Sequence, residues 1–406
     1  MSGIHWPGSS TTSPNRAFDC SNRWKSKRRN RITQKEIVHI RTILGYLPAA
    51  VNRHRLWITC CAHWVLEQFR RHDPTGSCAN GRPSPLSSRS WRLGRMDETH
   101  SGIDLDELDR EVGDFCRFFE LMPRDPAAAM HRTASQMHAL CCALARLPAP
   151  AWNSPNIQRL LAPARHLHAR SSFVRRLQEW PRGYPGDFET VELLAAGASL
   201  PTTADPGDWI EWHALNTAIV QQHRNRIWWQ YLKMCATTPG RILSIGCGGG
   251  ADFQIAPHRF TGSTVVLVDL DRQALALAEE RLSRYCDVHI VCGDVRRAIR
   301  QVQDEGPFDV VVCGCLSDYL DDRTIISILG ELRRRLLRVG GSIVFTNIAA
   351  GNPFRVWMEA IADWKLVHRS EPELRKIATA AGFDRLDFSV RRDPTGLTHL
   401  VELSVP

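Results

Sequence analysis

The chain contains no apolar run of about 18 residues, the length a membrane-spanning helix needs, and it does not open on a basic segment followed by an apolar one. Neither a membrane span nor export is expected. The two most apolar early stretches, residues 37–47 and 56–69, are broken by His39, Arg41, His63 and Glu67. The 13 cysteines form no paired C-x-x-C framework. They indicate neither a metal site nor a disulfide scaffold, and reduced thiols in a cytoplasmic protein are the simple reading. Cys247, Cys292, Cys313 and Cys315 instead lie at or beside apolar runs, where a small thiol packs well.

Acidic residues are scarce only at the start. Residues 1–95 hold 17 Lys plus Arg against 4 Asp plus Glu, whereas the remaining residues hold 35 against 39. The net charge of +9 therefore belongs to this leader, and the mildly acidic remainder argues against nucleic acid as a partner. The leader also lacks sustained periodicity, although it carries Trp6, Trp24, Trp57, Trp64 and Trp91. Residues 1–95 are expected to be disordered or to reflect an upstream start, the natural protein beginning at or near Met96. The alternative is a basic arm whose Lys25, Lys27, Arg28, Arg29 and Arg31 touch RNA or acidic lipid.

A chain of 406 residues can bury a large core and is expected to hold two folded units. Helical spacing runs through Leu108, Val112, Phe115, Phe118 and Phe119, then Met137, Leu140, Leu144 and Leu147, so a helical domain is expected over 96–205. A long helix over 209–235 follows, with an apolar stripe of Trp212, Ile219, Ile227 and Tyr231. The pair Trp228-Trp229 reads as core rather than as a ligand cage.

The most informative stretch comes next. Residues 242–245 are apolar and end in Gly246-Cys247-Gly248-Gly249-Gly250, as where a buried strand turns tightly into a helix and a cofactor meets bare backbone. A second apolar run, 264–268, ends in Asp269, and an acid at that strand tip can take both hydroxyls of an adenosine ribose. Gly246, Gly248 and Ala251 also satisfy the dinucleotide pattern G-x-G-x-x-G/A. A turn serving only the backbone is the bland alternative. However, none of the five tyrosines has a lysine four residues on, so a short-chain dehydrogenase would lack its proton-transfer pair.

Downstream, the sequence predicts a third strand over 288–292 closed by Gly293-Asp294-Val295, a fourth over 308–313, and a helix over 324–337. A fifth strand over 342–346 follows Gly340-Gly341. Helices over 353–367 and 371–381 and two final strands, 386–391 and 397–405, complete the chain. In this order it resembles the class I S-adenosylmethionine-dependent methyltransferases over about 165 residues. That resemblance implies an α/β fold, a Rossmann-like doubly wound seven-stranded sheet over 206–406, behind an N-terminal all-helical domain. Its cofactor would be S-adenosylmethionine, contacted by Gly246, Cys247, Gly248, Gly250, Asp252, Asp269, Leu270, Asp294 and Val295. Ser244 stands where many such enzymes place an acid, a departure that Asp252 could offset.

Outside this frame, Pro181-Arg182-Gly183-Tyr184-Pro185-Gly186-Asp187-Phe188 is a shaped loop that presents Arg, Tyr and Asp as exposed polar groups, or else a rigid interdomain turn. Together with residues 352–359, 363–369 and 392–396 it resembles a bacterial group related to the synthases of 3-hydroxy-fatty-acid methyl ester signals. That group implies that Tyr184 and Asp187 touch cofactor or substrate and that Arg182 and Arg369 bind substrate. Tyr184, Asp318, Tyr319 and His368 are the candidate catalytic groups. Asp318 and Tyr319 could equally be a helix cap and a packing aromatic, and a lone histidine such as His368 is more often structural. The tip 313–319 is not an Asn-Pro-Pro-Tyr loop, which disfavours nucleobase and glutamine-amide substrates.

The expected function is methyl transfer to a small molecule, a carboxylate or hydroxyl of a secondary metabolite or fatty-acyl signal, with a homodimer left open. N-methylation of an amino-acid or peptide-derived product, RNA methylation, and noncatalytic S-adenosylmethionine binding are the alternatives.

Overall fold

The computed structural model describes residues 105–406, so the leader expected over residues 1–95 lies outside the described residues. The described residues belong to one compact unit. Eight helices come first: α1 Leu105–Glu120, α2 Pro126–Ala145, α3 Ala149–Trp152, α4 Pro155–His168, α5 Ser172–Glu179, α6 Phe188–Ala196, α7 Pro206–Leu215 and α8 Ala218–Cys235. Helix α1 forms because Leu108, Val112, Phe115, Phe118 and Phe119 fall on one buried stripe. Helix α2 starts where Asp125 accepts the Ala128 amide at 2.7 Å and Pro126 presets the first turn.

The sheet then follows as β1 Arg241–Ile245, β2 Thr264–Asp269, β3 Asp287–Cys292, β4 Phe308–Val312, β5 Leu337–Ile348, β6 Phe388–Arg392 and β7 Thr398–Ser404. Helices α9 Arg272–Leu282, α10 Val295–Gln301, α11 Asp322–Arg335 and α12 Glu371–Ala380 connect them. The strand order is β3-β2-β1-β4-β5-β7-β6. Strands β1 to β5 pair in parallel, and β7 inserts antiparallel between β5 and β6. The expected doubly wound seven-stranded sheet is thus present. Strands β1, β2 and β4 are almost wholly buried because both faces are covered, one by Leu332, Leu336 and Ile377, the other by Leu275, Phe253 and Phe260. The order reverses between β1 and β4, which opens a crevice at their carboxyl ends.

Several elements differ from the sequence reading. The helix expected over 209–235 is two helices, because Asn216 turns its side-chain amide back onto the carbonyls of Trp212 and Ala198, and Thr217 bonds Ala214. Ile227 on its expected stripe is only half-buried, and Trp229 is core while Trp228 is 52% exposed. The helix expected over 353–367 is a single wide turn, Trp357–Ile361, followed by an extended strap. Its freed carbonyls are taken by the helical layer: Arg165 donates to Ala360 and Ile361 at 2.8 and 3.0 Å, and Gln178 to Ile361 at 2.8 Å. Ile348, Trp357, Met358, Ile361 and Trp364 accordingly share one core with α1, α2 and α4. The glycine turn after β1 leads only into short 3-10 turns at Phe253–Ile255 and Pro257–Phe260, not into an α-helix.

Candidate active site

The site is built on the glycine turn. Gly246, Gly248 and Gly250 have φ of 62, 53 and 70°, the left-handed region that glycine enters without strain. The amides of Gly246 and Cys247 return to the Val268 carbonyl at 2.8 and 3.2 Å. Gly248 instead donates to Asp269 Oδ2 at 2.9 Å, while Asp269 Oδ1 accepts the Asp271 amide at 3.0 Å. The turn and the acid at the tip of β2 are therefore tied together on one sheet edge. A carboxylate has about four acceptor positions, so two remain for hydroxyl groups. Burial raises the Asp269 carboxyl above its ordinary range, and the amides of Asp271 and Gly248 pull it back.

Beside Asp269, Leu270 is 62% exposed, an open apolar face. Gly293 donates to the Asp269 carbonyl at 2.9 Å, which brings the β3 tip alongside. There Asp294 is exposed, caps α10 through the Arg296 amide at 2.9 Å, and stands next to half-buried Val295. Asp252 is buried, and its carboxyl is pushed up to about 6 by desolvation. It accepts the Phe253 amide, so it caps a 3-10 turn rather than the helix expected there. Burial also pushes the Cys247 thiol well up, which keeps it neutral.

The loop 181–187 closes over this edge. A methyl on Gly248 would meet Phe188 at 3.4 Å, and one on Gly186 would fall 1.8 Å from the Tyr319 hydroxyl. Gly186 marks a close approach, whereas Gly248 is called for by its φ of 53°. The three polar groups of the loop are less exposed than the sequence suggested. Asp187 is 1% exposed, caps α6 at the Thr190 amide, and receives Arg176 in a two-point pair at 3.0 and 2.8 Å. Arg182 is engaged by Asp271, Glu189 and Gln273, each at 2.6 Å, and lies 4.4 Å over the Phe188 ring. Tyr184 is half-buried, and burial with the nearby carboxylates of Asp269, Asp271 and Asp187 pushes its phenol well up. It stays protonated, a donor near the Asp269 edge.

A second group lies after β4. Asp318 is 1% exposed, accepts Arg226 Nη1 at 2.6 Å and the Ile348 amide at 2.7 Å, and is not free to act as a base. Burial pushes the Tyr319 phenol well up, and its oxygen accepts Trp364 Nε1 at 3.1 Å. His368 is half-buried and pushed down to about 4, first by desolvation and then by the charges of Arg355 and Arg226. Arg369 uses all its donors on Asp322, Ser317, Asn347 and Leu320, so it fastens the strap to the 317–322 turn and has none left for a substrate.

The structure thus gathers Gly246, Cys247, Gly248, Gly250, Asp252, Asp269, Leu270, Asp294 and Val295 along one edge, with Arg182, Tyr184 and Asp187 above them. Asp318, Tyr319 and His368 form a neighbouring group that meets the loop where Gly186 touches Tyr319. Sequence reasoning missed Arg226 and His223, which sit one turn apart in the polar run 221–226 yet are 0% and 3% exposed. The only signal was that an otherwise apolar helix carries so polar a stretch. It also missed Arg281, which donates to the Gly249 carbonyl and pairs with both oxygens of Glu192, pinning the glycine turn to α6.

Residues 243–343 match the family model of a methyltransferase domain, the span that carries the glycine turn, Asp269 and Asp294. The edge suits that domain's cofactor, S-adenosylmethionine: a ribose acceptor, an exposed apolar face, a second carboxylate and bare backbone stand together. Malonyl-[acyl-carrier protein] O-methyltransferase of Halalkalibacterium halodurans is 31% identical over 108 residues, 27% of this chain and 39% of that protein. Ribosomal protein L11 methyltransferase of Thermotoga maritima is 34% identical over 89 residues, 22% of this chain and 31% of that protein. The chain therefore spans less than two fifths of the length of these relatives. Among solved structures, a possible exported protein from Bordetella parapertussis aligns at a TM-score of 0.48 and 15% identity, over 76% of this chain and 100% of that one. Magnesium protoporphyrin IX methyltransferase from Synechocystis PCC 6803, solved with bound SAH, aligns at 0.36 and 13%, over 46% and 87%.

Proposed function

We propose that this S-adenosylmethionine-dependent methyltransferase domain serves an O-methyltransferase of small molecules whose acceptor is a carboxylate. The single observation that carries the cofactor half of the reading is the 2.9 Å bond from the Gly248 amide to Asp269, which puts bare backbone and a ribose acceptor side by side. Asp269 holds the ribose, Leu270 and Val295 flank the adenine with Asp294 at its edge, and Gly246, Gly248 and Gly250 line the methionine portion. Tyr184 covers the ribose as a donor. Asp187 holds the loop's shape, since its carboxylate is already spent on Arg176 and the α6 cap.

The acceptor follows from the four candidate catalytic groups among the described residues, none of which is a ready base. The phenols of Tyr184 and Tyr319 are pushed up, His368 is pushed down, and Asp318 is locked to Arg226. A hydroxyl or an ammonium must lose a proton before or during attack, which these four groups are poorly set to accept. A carboxylate is already anionic at neutral pH. What remains for the protein is to align the reactants and exclude water. The cofactor supplies a methyl group on a sulfonium: the new O–CH3 bond forms as the S–CH3 bond breaks, the bonding pair stays on sulfur, and no proton is released.

The resemblance of the 181–188 loop and the strap to the 3-hydroxy-fatty-acid methyl ester group supports a fatty-acyl or secondary-metabolite acid, and the similarity to malonyl-[acyl-carrier protein] O-methyltransferases supports the same acceptor chemistry. The described cysteines are all unpaired, which supports a reducing, cytoplasmic setting. The test is to incubate the protein with methyl-tritiated S-adenosylmethionine and a panel of short and medium-chain acids, then treat the product with alkali. An ester releases the label as volatile methanol, whereas a label that survives alkali would mean an ether or an N-methyl product and overturn the carboxylate reading.

A further inference from the structure

Three nitrogens between α8 and the strap have no hydrogen-bond partner although they are fully shielded from solvent: Arg226 Nη2, His223 Nε2 and His368 Nε2. A buried donor left unpaired costs about 1–3 kcal/mol, more when charged, so three in one place call for an explanation. They belong to one neighbourhood. His223 and Arg226 are one turn apart on α8, the His223 ring stacks on Trp364 at 5.4 Å, and Trp364 reaches the Tyr319 hydroxyl. The charge of Arg226 acts on both imidazoles.

The rest of the Arg226 guanidinium is accounted for. Nη1 donates to Asp318, Nε contacts Thr398 at 3.1 Å and also Gln222, and the neutral Cys315 thiol lies against it. Only Nη2 is left. Asp318 takes one side of the guanidinium, and Nη2 keeps its N–H groups unpaired. The position is also right for chemistry. The Leu316 side chain lies where a methyl on Gly246 would meet it at 3.8 Å, and Asp318 follows two residues later. The turn 316–319 therefore links the glycine turn, beside Leu316, to Arg226, paired with Asp318, and its Tyr319 meets Trp364.

We propose that Arg226 Nη2, with His223 and His368, is the binding site for the carboxylate of the substrate acid. This rests on the methyltransferase reading and names the residues that recognise its acceptor. An acid brings the acceptors that these nitrogens lack, and its charge is met by a fixed guanidinium rather than by water. A histidine presents its ring N–H in the neutral tautomer, so neither imidazole needs to be charged beforehand. Methylation removes the anion: the ester is neutral, loses its charge-assisted bonds to Arg226, and leaves.

The experiment follows the imidazole C2–H resonances of His223 and His368 by NMR in protein saturated with S-adenosylhomocysteine. His223→Gln and His368→Gln assign the signals. Hexanoate should raise the midpoint of both titrations by at least one pH unit, whereas hexanamide, which has the same shape without the charge, should not. Arg226→Gln should abolish the response to hexanoate while S-adenosylhomocysteine affinity, measured by calorimetry, stays within threefold. The wild-type comparison of acid and amide does not depend on that variant folding. If S-adenosylhomocysteine binds and hexanoate moves neither ring, or the amide moves them as far as the acid, the carboxylate site is refuted and the three nitrogens hold water or a neutral group. If hexanoate acts but S-adenosylhomocysteine does not bind, the methyltransferase reading falls and the anion site stands.

Discussion

Asp269 serves two purposes with one side chain. Its oxygens accept the amides of Gly248 and Asp271, which fixes the turn, and its remaining acceptor positions face the open edge beside Leu270. On the proposed reading those positions take both ribose hydroxyls through charge-assisted bonds worth about 1.5–3 kcal/mol each. Asp269→Ala should therefore weaken S-adenosylhomocysteine binding by about 3 kcal/mol or more, roughly a hundredfold. Calorimetry on folded protein checks this, and unchanged affinity would remove Asp269 from the cofactor site. The placement of this residue beside the glycine turn could be read in the sequence because apolar runs end so sharply at Gly246 and Asp269. Arg226 and His223 could not be found that way. Nothing in a string shows that a polar residue on a helix faces inward, since that depends on Asp318 and the strap, roughly 90 and 140 residues further on.

At the scale of elements, β1, β2 and β4 were legible because a strand covered on both faces is largely apolar, as residues 242–243, 265–268 and 310–312 are. The break at Asn216 and the unwinding after Ile361 were not, because each depends on side-chain bonds that compete with the helix. The second break shows how the helical layer and the sheet are joined. A helix that stops at Ile361 leaves carbonyls without partners, and Arg165 on α4 takes those of Ala360 and Ile361 while pairing with Asp363. Arg165→Ala would remove one of two donors from each carbonyl, since Gln158 still reaches Ala360 and Gln178 still reaches Ile361, and would leave the Asp363 carboxylate without its partner, at a cost of about 1–3 kcal/mol in all. The midpoint of urea unfolding should fall accordingly. Since Trp364 and His368 lie just beyond this anchor, the variant should also lose turnover at temperatures where it remains folded. A variant with unchanged stability and activity would show that the strap holds its course without Arg165.

Across the whole molecule, buried histidines set how the fold responds to acid. His168 and His399 are 0% and 2% exposed and pushed down to about 4 from an ordinary 6.5, in both cases chiefly by desolvation. Arg165 and His213 add to the effect at His168, and Arg392 at His399, while the Ala164 and Arg369 carbonyls oppose it. His223 is displaced further in the same direction. Between pH 6.5 and 4 the unfolded chain binds protons that the folded chain refuses, so stability falls as pH falls through that window. Asp252 acts the other way. Its carboxyl is raised to about 6, so the burial of its charge is relieved as pH drops below that value. Asp269 and Asp318 are raised by burial like Asp252, but His213 and His368 are also pushed down to about 4, so five histidines outweigh three acids and the net loss between pH 7 and 5 is on the order of a few kcal/mol. Melting temperature should therefore drop by about 3–6 °C over that interval. His399→Gln keeps a hydrogen-bonding side chain without the titration, and should flatten the profile by removing one of the five contributions. A wild-type melting temperature that stays level from pH 7 to 5 would mean that these imidazoles take up protons in the folded state as readily as in water, and that the cores around them are open.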